Sequence, residues 1–323
     1  MPIIEASHLS REFEYYEKEA GLKGSIRNLF KREKKIRHAV TDVSFTIEPG
    51  EMVGFIGPNG AGKTTTLKML SGILYPSSGS ASVNGYVPWE RKDEFKRSFS
   101  LVAGQKSQLW MDLPASDSLY LNKCIYEIPD DVYKKTVDEL SDMLDVRRLL
   151  KVQVRRLSLG ERMKMELIAA LLHHPAVIFL DEPTIGLDIL SQQSIRDYLK
   201  EYNRTSGATM VLTSHYIKDI EEMCRHTIVI SHGQKVFDGS FSDLKMLSGN
   251  VKKMNLTCRQ TLEPTEFERY GTVLECQGSQ ISLEIQRDNL NEAIADILSR
   301  YDVDDFNVEE SPIENSIEMI FRQ

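Results

Sequence analysis

"GPNGAGKTT", residues 57–65, holds three glycines, no bulky side chain, one lysine and the first two of three consecutive threonines. It follows "GEMVGFI", which reads as a turn and then a buried strand. Gly57, Pro58, Asn59, Gly60, Ala61, Gly62, Lys63 and Thr64 match the phosphate-loop pattern G-x-x-x-x-G-K-[ST]. Glycines let the main chain wrap closely, so successive N–H groups can point inward at phosphate oxygens. A helix starting near Gly62, with Thr65 in its first turn, adds its positive dipole end. Lys63 supplies a point charge to the outer phosphates, and the Thr64 hydroxyl is placed to ligate Mg²⁺. At about 7% glycine per position, the pattern arises by accident in roughly 1% of chains of this length. A strand before it and a helix after it lower that further, so the loop reads as a nucleoside triphosphate site.

"AVIFLDEP", 176–183, narrows the chemistry. An apolar strand ends in Asp181, whose carboxylate at the strand tip can hold the Mg²⁺ shell. Glu182 comes next and faces the γ-phosphate, where it can polarise a water for in-line attack. An isolated Asp-Glu pair would be a helix-start charge pair without chemistry. Four buried apolar residues before it, and a phosphate loop in the same chain, favour the catalytic reading.

With these two motifs, the chain resembles an ABC transporter nucleotide-binding domain. "RRLSLGERMKMEL", 155–167, is similar to that family's signature, usually written LSGGQ, with Ser158 lying 23 residues before Asp181. "GLD", ending at Asp188, resembles the D-loop; "LTSH", ending at His215, the switch-histidine loop; Gln105 in "LVAGQKSQLW" the Q-loop glutamine. Phe13 in "LSREF" resembles the aromatic that stacks on adenine, with Tyr15 and Tyr16 competing for that place. The resemblance covers about residues 1–240. It implies an α/β P-loop NTPase fold: a mostly parallel sheet flanked by helices, with an antiparallel β part and a helical subdomain. It also implies a head-to-tail dimer, each ATP held by the phosphate loop of one copy and by Ser158 and Gly160 of the other. Glu182 would be the general base. His215 would hold the γ-phosphate and orient the water. Gln105 would ligate Mg²⁺ and report to a membrane partner, and Asp188 would couple the two sites. The signature departs from the family at Leu159 and at Glu161. The latter is expected to put negative charge near a polyanion and weaken its binding.

Outward from the motifs, "MVGFIG", "AVIFLD", "TMVLTS" and "HTIVIS" are continuous apolar runs, as strands buried on both faces are. Helical patterns fall at about 63–72, 116–126, 130–144, 160–173, 191–203 and 216–224. Two pieces stand apart. Residues 14–37 form a basic insertion in which Ile26, Leu29 and Phe30 share a helical face, read as a solvated segment or a membrane- or partner-contacting helix. Residues 251–323 read as strand, two strands, helix, strand and short helix, a small α+β domain.

Composition bounds the rest. The chain has 323 residues, is 41% hydrophobic and 27% charged, and carries a net charge of −8. Residues 251–323 hold 7 Lys+Arg against 15 Asp+Glu, so the first 250 are balanced and charge alone gives no polyanion binder. The run "KREKKIR" lacks interleaved aromatics, and no nucleic acid partner is expected. His173 and His174 are adjacent, so on a helix they do not face one ligand. The methionines of "MKMEL" read as packing. Four scattered cysteines, no basic apolar leader and no long apolar run suggest a cytosolic protein. Expected function is then the ATPase subunit of a bacterial transporter with separate permease subunits. "GQKSQLWMDLPASDSL" and "EESPIENSIEMIF" resemble ATPases of the ABC-2 exporter type. A soluble ABC ATPase acting on ribosomes or DNA, and an importer ATPase, remain alternatives.

Overall fold

The structure is a computed structural model that describes residues 1–16, 34–103, 107–214, 216–247 and 251–310. The chain divides into two units at Phe241/Ser242. The first runs β1 (Ile4–Tyr16), β2 (Lys34–Ile47), β3 (Met52–Ile56), α1 (Lys63–Leu70), β4 (Ser78–Val83), α2 (Asp93–Ser98), β5 (Phe99–Ala103), α3 (Ala115–Tyr126), α4 (Asp130–Met143), α5 (Leu159–Leu171), β6 (Val177–Asp181), α6 (Ile189–Ser206), β7 (Thr209–Thr213), α7 (Ile217–Met223), β8 (His226–Ser231) and β9 (Gln234–Ser240).

The four apolar runs are the inner strands of a sheet ordered β5-β6-β7-β3-β8-β9. Its first five strands pair in parallel. The last, β9, turns back antiparallel to β8 through His232 and Gly233, both at positive φ, the geometry of a two-residue hairpin. Parallel order sends the loops after β3, β6 and β7 to one edge, where ligands bind in such sheets. A second, antiparallel sheet ordered β2-β1-β4 packs over α1 and the first sheet. Phe45 meets Phe55 edge-on at 5.4 Å between ring centres, joining the two sheets in one core. The basic insertion begins and ends inside a hairpin: β1 continues to Tyr16 and β2 starts at Lys34. The helical face expected at Ile26, Leu29 and Phe30 lies outside the described residues.

The second unit contains β10 (Val251–Cys258), α9 (Pro264–Phe267), β11 (Thr272–Gln277), β12 (Gln280–Gln286), α10 (Leu290–Arg300) and β13 (Val303–Glu310), after a helix α8 (Phe241–Leu247) that starts at the division. Strand order β11-β12-β10-β13, all pairs antiparallel, makes this a split βαβ arrangement. Alternation in "QISLEIQ" buries Ile281, Leu283 and Ile285 on one face, against Met254, Leu256, Phe267 and Ile297. The short helix expected at the C-terminus lies outside the described residues.

A buried ion pair stitches the loops of the first unit. Arg196 on α6 and Asp219 on α7 are 3% and 0% exposed, with Nη1 and Oδ1 2.7 Å apart. The Thr184 hydroxyl, three residues after Asp181, and the Ser214 hydroxyl, one before His215, both donate to Asp219 Oδ2. Arg196→Ala would leave that carboxylate buried without its cation and should cost about 3–5 kcal/mol. Replacing both partners, Arg196→Met with Asp219→Asn, removes both charges while keeping a carbonyl oxygen for the Thr184 and Ser214 hydroxyls, and should recover part of the loss. Urea unfolding of the three proteins checks this; a double variant no more stable than Arg196→Ala would show that the uncompensated charge is not the cause.

Candidate nucleotide site

The phosphate loop owes its path to close backbone approach. A Cβ on Gly57 would stand 2.1 Å from the Ile230 carbonyl oxygen of β8. Gly62 has φ 113, and a Cβ there would stand 2.5 Å from the Ala39 carbonyl oxygen. Gly62 caps α1 without a side-chain bond, and the first turn holds no acidic residue. The first N–H groups of a helix have no intrahelical partner, so this end presents unscreened donors. Lys63 is buried, its Nζ donating to the carbonyl oxygens of Gly57 (2.6 Å) and Pro58 (3.1 Å). Burial pushes its ammonium pKa down, while Glu182 and Asp181 pull it back.

Asp181 and Glu182 leave the tip of β6 in different directions. Asp181 Oδ1 accepts from the Thr64 hydroxyl (2.9 Å) and from the Thr213 hydroxyl of β7 (2.8 Å). A hydroxyl and a carboxylate oxygen at a phosphate loop are the hard-oxygen donors that suit Mg²⁺. Glu182 has φ 55, the left-handed region that a β-strand leaves only under constraint. Its N–H donates to the Thr213 carbonyl (3.1 Å) and hydroxyl (3.0 Å) oxygens, which hold that turn.

Around the loop lies a cleft of about 620 Å³, lined by Asn59 to Thr65, Glu182, Phe13, Tyr15, Arg37 and Ala39. Phe13 and Tyr15 share one wall of this cleft. Arg37, assigned by sequence only to a basic insertion, lines the same cleft. Strand register brings it there: Phe13 pairs with Arg37 across the β1–β2 hairpin.

Ser158, Gly160 and Asp188 form a second cluster, and none of them lines the cleft. Ser158 is the N-cap of α5, accepting from Glu161 N (3.2 Å), while Glu161 Oε2 accepts from Ser158 N (2.9 Å). This is a capping box, legible in the sequence as S-x-x-E. Glu161 is therefore turned back onto the helix end, where its carboxylate caps α5. Gly160 packs against the next helix start: a Cβ there would stand 2.5 Å from Ser191 Oγ and 4.0 Å from Asp188 Oδ2. Asp188 caps α6 through Ser191, whose hydroxyl and amide hold the Asp188 carboxyl below the usual carboxylate range. His173 stacks on Tyr126, and His174 contacts the Thr136 hydroxyl, so the two histidines face different partners. Gln105 and His215 lie outside the described residues. Among the described residues, no helix is long and apolar enough to cross a membrane.

A strand–loop–helix phosphate cradle backed by a strand-tip carboxylate pair defines a P-loop nucleotide triphosphatase. The family model for the ABC transporter matches residues 40–185, and that for the EvrA-like ABC transporter C-terminal domain matches 250–309. The ABC transporter ATP-binding protein NatA of Bacillus subtilis is 34% identical over 215 residues, 67% of this chain and 87% of that one. The linearmycin resistance ATP-binding protein LnrL of the same organism is 32% identical over 218 residues, 68% of this chain and 70% of that one. A solved ATP-binding subunit of an ABC transporter superposes with a TM-score of 0.62 at 25% identity, over 76% of this chain and 92% of that one. The chain belongs to the ABC transporter family, as one of its ATP-binding, ATP-hydrolysing cassettes.

A buried carboxylate of this cassette escaped the sequence reading. Glu166 on α5 is 4% exposed and holds the segment that follows Gln105. Its Oε1 accepts from the Ser107 hydroxyl, and both oxygens accept from Gln108 N, at 3.0 and 3.1 Å. Burial pushes the carboxyl above its ordinary 4.5, against the pull of these bonds and of Arg162. The folded carboxyl then takes up a proton more readily than the unfolded one. Its burial penalty is present above the folded pKa and is relieved as pH falls through it. Wild type should accordingly gain stability relative to Glu166→Gln as pH falls from neutrality to the ordinary carboxyl value of 4.5. Urea unfolding of both proteins at the two ends of that range measures it; a difference that does not move with pH would remove the raised carboxyl.

Proposed function

We propose that this cassette energises export by a separate multi-span membrane permease of a bacterium, through ATP-driven closure of two copies. The division of the site carries the reading. Lys63, Thr64, Asp181 and Glu182 meet at one cleft, while Ser158, Gly160 and Asp188 meet elsewhere on the same chain. Each cluster presents a helix N-terminus, a natural contact for phosphate. Apposing two copies head to tail would bring the second cluster of one to the cleft of the other. Ile189 and Leu190, next to Asp188, are 79% and 82% exposed, apolar surface of the kind that association covers.

Within the closed pair, main-chain amides of Gly60 to Thr65 and the Lys63 ammonium bind the phosphates. Phe13 or Tyr15 stacks on the base. Thr64 and Asp181, with Gln105, would hold Mg²⁺, which supplies charge neutralisation on the phosphate oxygens. Glu182 accepts a proton from the attacking water, and His215 orients that water against the γ-phosphate. Ser158 and Gly160 contact the γ-phosphate from the partner copy only when the pair is closed. Binding energy thereby favours closure, and loss of phosphate favours opening.

Export is supported by the relative named for linearmycin resistance. A permease partner is supported by the exposed Trp110, Met111 and Leu113, just beyond Gln105, and by Tyr120, Leu121 and Ile125 on α3. A chain so engaged would sit on the inner face of the cell membrane through its permease.

Glu182→Gln should keep ATP affinity while turnover falls by about 10²–10⁴, the range for losing a positioned base. Unchanged turnover in a phosphate-release assay removes Glu182 from that role. Lys63→Ala should weaken ATP binding in the same preparation, and undiminished affinity would contradict the cradle. The transport reading is checked by membrane fractionation: the chain should co-purify with a multi-span protein, and sedimentation with ribosomes would overturn it.

A further inference from the structure

The β1–β2 hairpin reaches the cleft with one of its two faces. Side chains alternate across a strand, and directly paired residues share a face. Register places Phe13 opposite Arg37 and Tyr15 opposite Lys35, so the cleft face carries aromatics and cations. Glu12 pairs in register with His38 on the other face, and their side chains meet at 3.1 Å. Glu14 lies on that face too, where it reaches Lys34. The hairpin's carboxylates are thus engaged away from the cleft.

Arg37 is exposed and lines the cleft with Asn59 and Gly60. A Cβ on Gly60 would stand 3.2 Å from Arg37 Nη2, so the guanidinium lies directly over the phosphate loop. Among the described residues it has no hydrogen bond or ion pair. Lys63 differs in each respect: it is buried under the loop and bonded to two loop carbonyls. A guanidinium is always charged, and its planar fork matches phosphate oxygens.

We infer that Arg37 is a second cationic contact for the phosphate chain of the bound nucleotide, delivered from the hairpin rather than from the loop. The inference rests on the nucleotide reading of this cleft, and it gives the hairpin from which the insertion springs a part in substrate binding. A contact at this position reads the phosphates and leaves the base to Phe13 and Tyr15.

The test is titration of the full chain with Mg-ATP, Mg-ADP and adenosine, for wild type, Arg37→Ala, Arg37→Lys and Lys63→Ala, at low and high salt. Arg37→Ala should weaken ATP and ADP by about 5- to 10-fold, a charge-assisted bond discounted for exposure, and leave adenosine unchanged. Arg37→Lys should recover part of the loss, and the wild-type advantage should shrink as salt rises. ATP affinity within about twofold of wild type in Arg37→Ala, with a clear loss in Lys63→Ala, would overturn the Arg37 contact and leave the nucleotide site standing. An equal loss for adenosine would assign Arg37 to the base pocket and overturn the phosphate contact. No ATP binding by wild type would overturn both.

Discussion

One oxygen atom, Asp181 Oδ1, accepts hydrogen bonds from the Thr64 and Thr213 hydroxyls. The first turn of α1, the tip of β6 and the tip of β7 are thereby held to one point. Strand pairing fixes β6 against β7, and the Thr64 bond ties the helix start to that pair. The Thr213 hydroxyl also accepts from Glu182 N, so the anchor extends one residue further. Glu182 turns at φ 55 immediately beyond it. The neighbouring carboxylates therefore differ in surroundings: Asp181 is bound into the frame through Oδ1, and Glu182 lines the cleft.

That frame also explains the asymmetry of cations. A lysine under the loop can stay charged in a buried place because two carbonyl oxygens solvate it and two carboxylates lie near. The cost of desolvation is still visible as a lowered pKa, and it ties Lys63 to one location. Arg37 faces no such constraint, being exposed on a hairpin whose own acids are paired on the opposite face. A polyanion entering the cleft meets one fixed charge and one adaptable charge, and only the second responds strongly to salt.

Much of this was legible in the sequence, for reasons that can be stated residue by residue. Glycines at 57 and 62 are required by carbonyl oxygens 2.1 and 2.5 Å from any Cβ, so the motif itself encodes the contact. Four apolar runs without alternation read as strands buried on both faces, and they are the inner strands of the sheet. Arg37 was not legible, because a charged residue in a basic run has no period that distinguishes one face of a hairpin from solvent; register with Phe13 was needed. Nor was Glu166, an acid between the apolar residues Met165 and Leu167 of α5. Its partners, Ser107 and Gln108, are 59 and 58 residues away, and no local rule joins them. In the C-terminal unit, alternation identified the strands, but not the order that makes a split βαβ sheet.

The signature helix shows what the departure at Glu161 does locally. Glu161 introduces a negative charge by composition, yet its carboxylate accepts from Ser158 N and closes the helix end. That bond removes one main-chain donor from any ligand. It also leaves Ser158 Oγ accepting from Glu161 N, which uses a lone pair and not the hydroxyl proton. The donors left to a phosphate are then the Ser158 O–H and the amides of Leu159 and Gly160, all at the positive end of α5. Leu159 cannot obstruct them from the Gly186 side, because its Cδ2 lies 3.2 Å from where a Cβ on Gly186 would be, so the side chain leans on the loop before α6. The altered signature thus gives up the Ser158 amide to a capping box and leaves the other donors at the helix start.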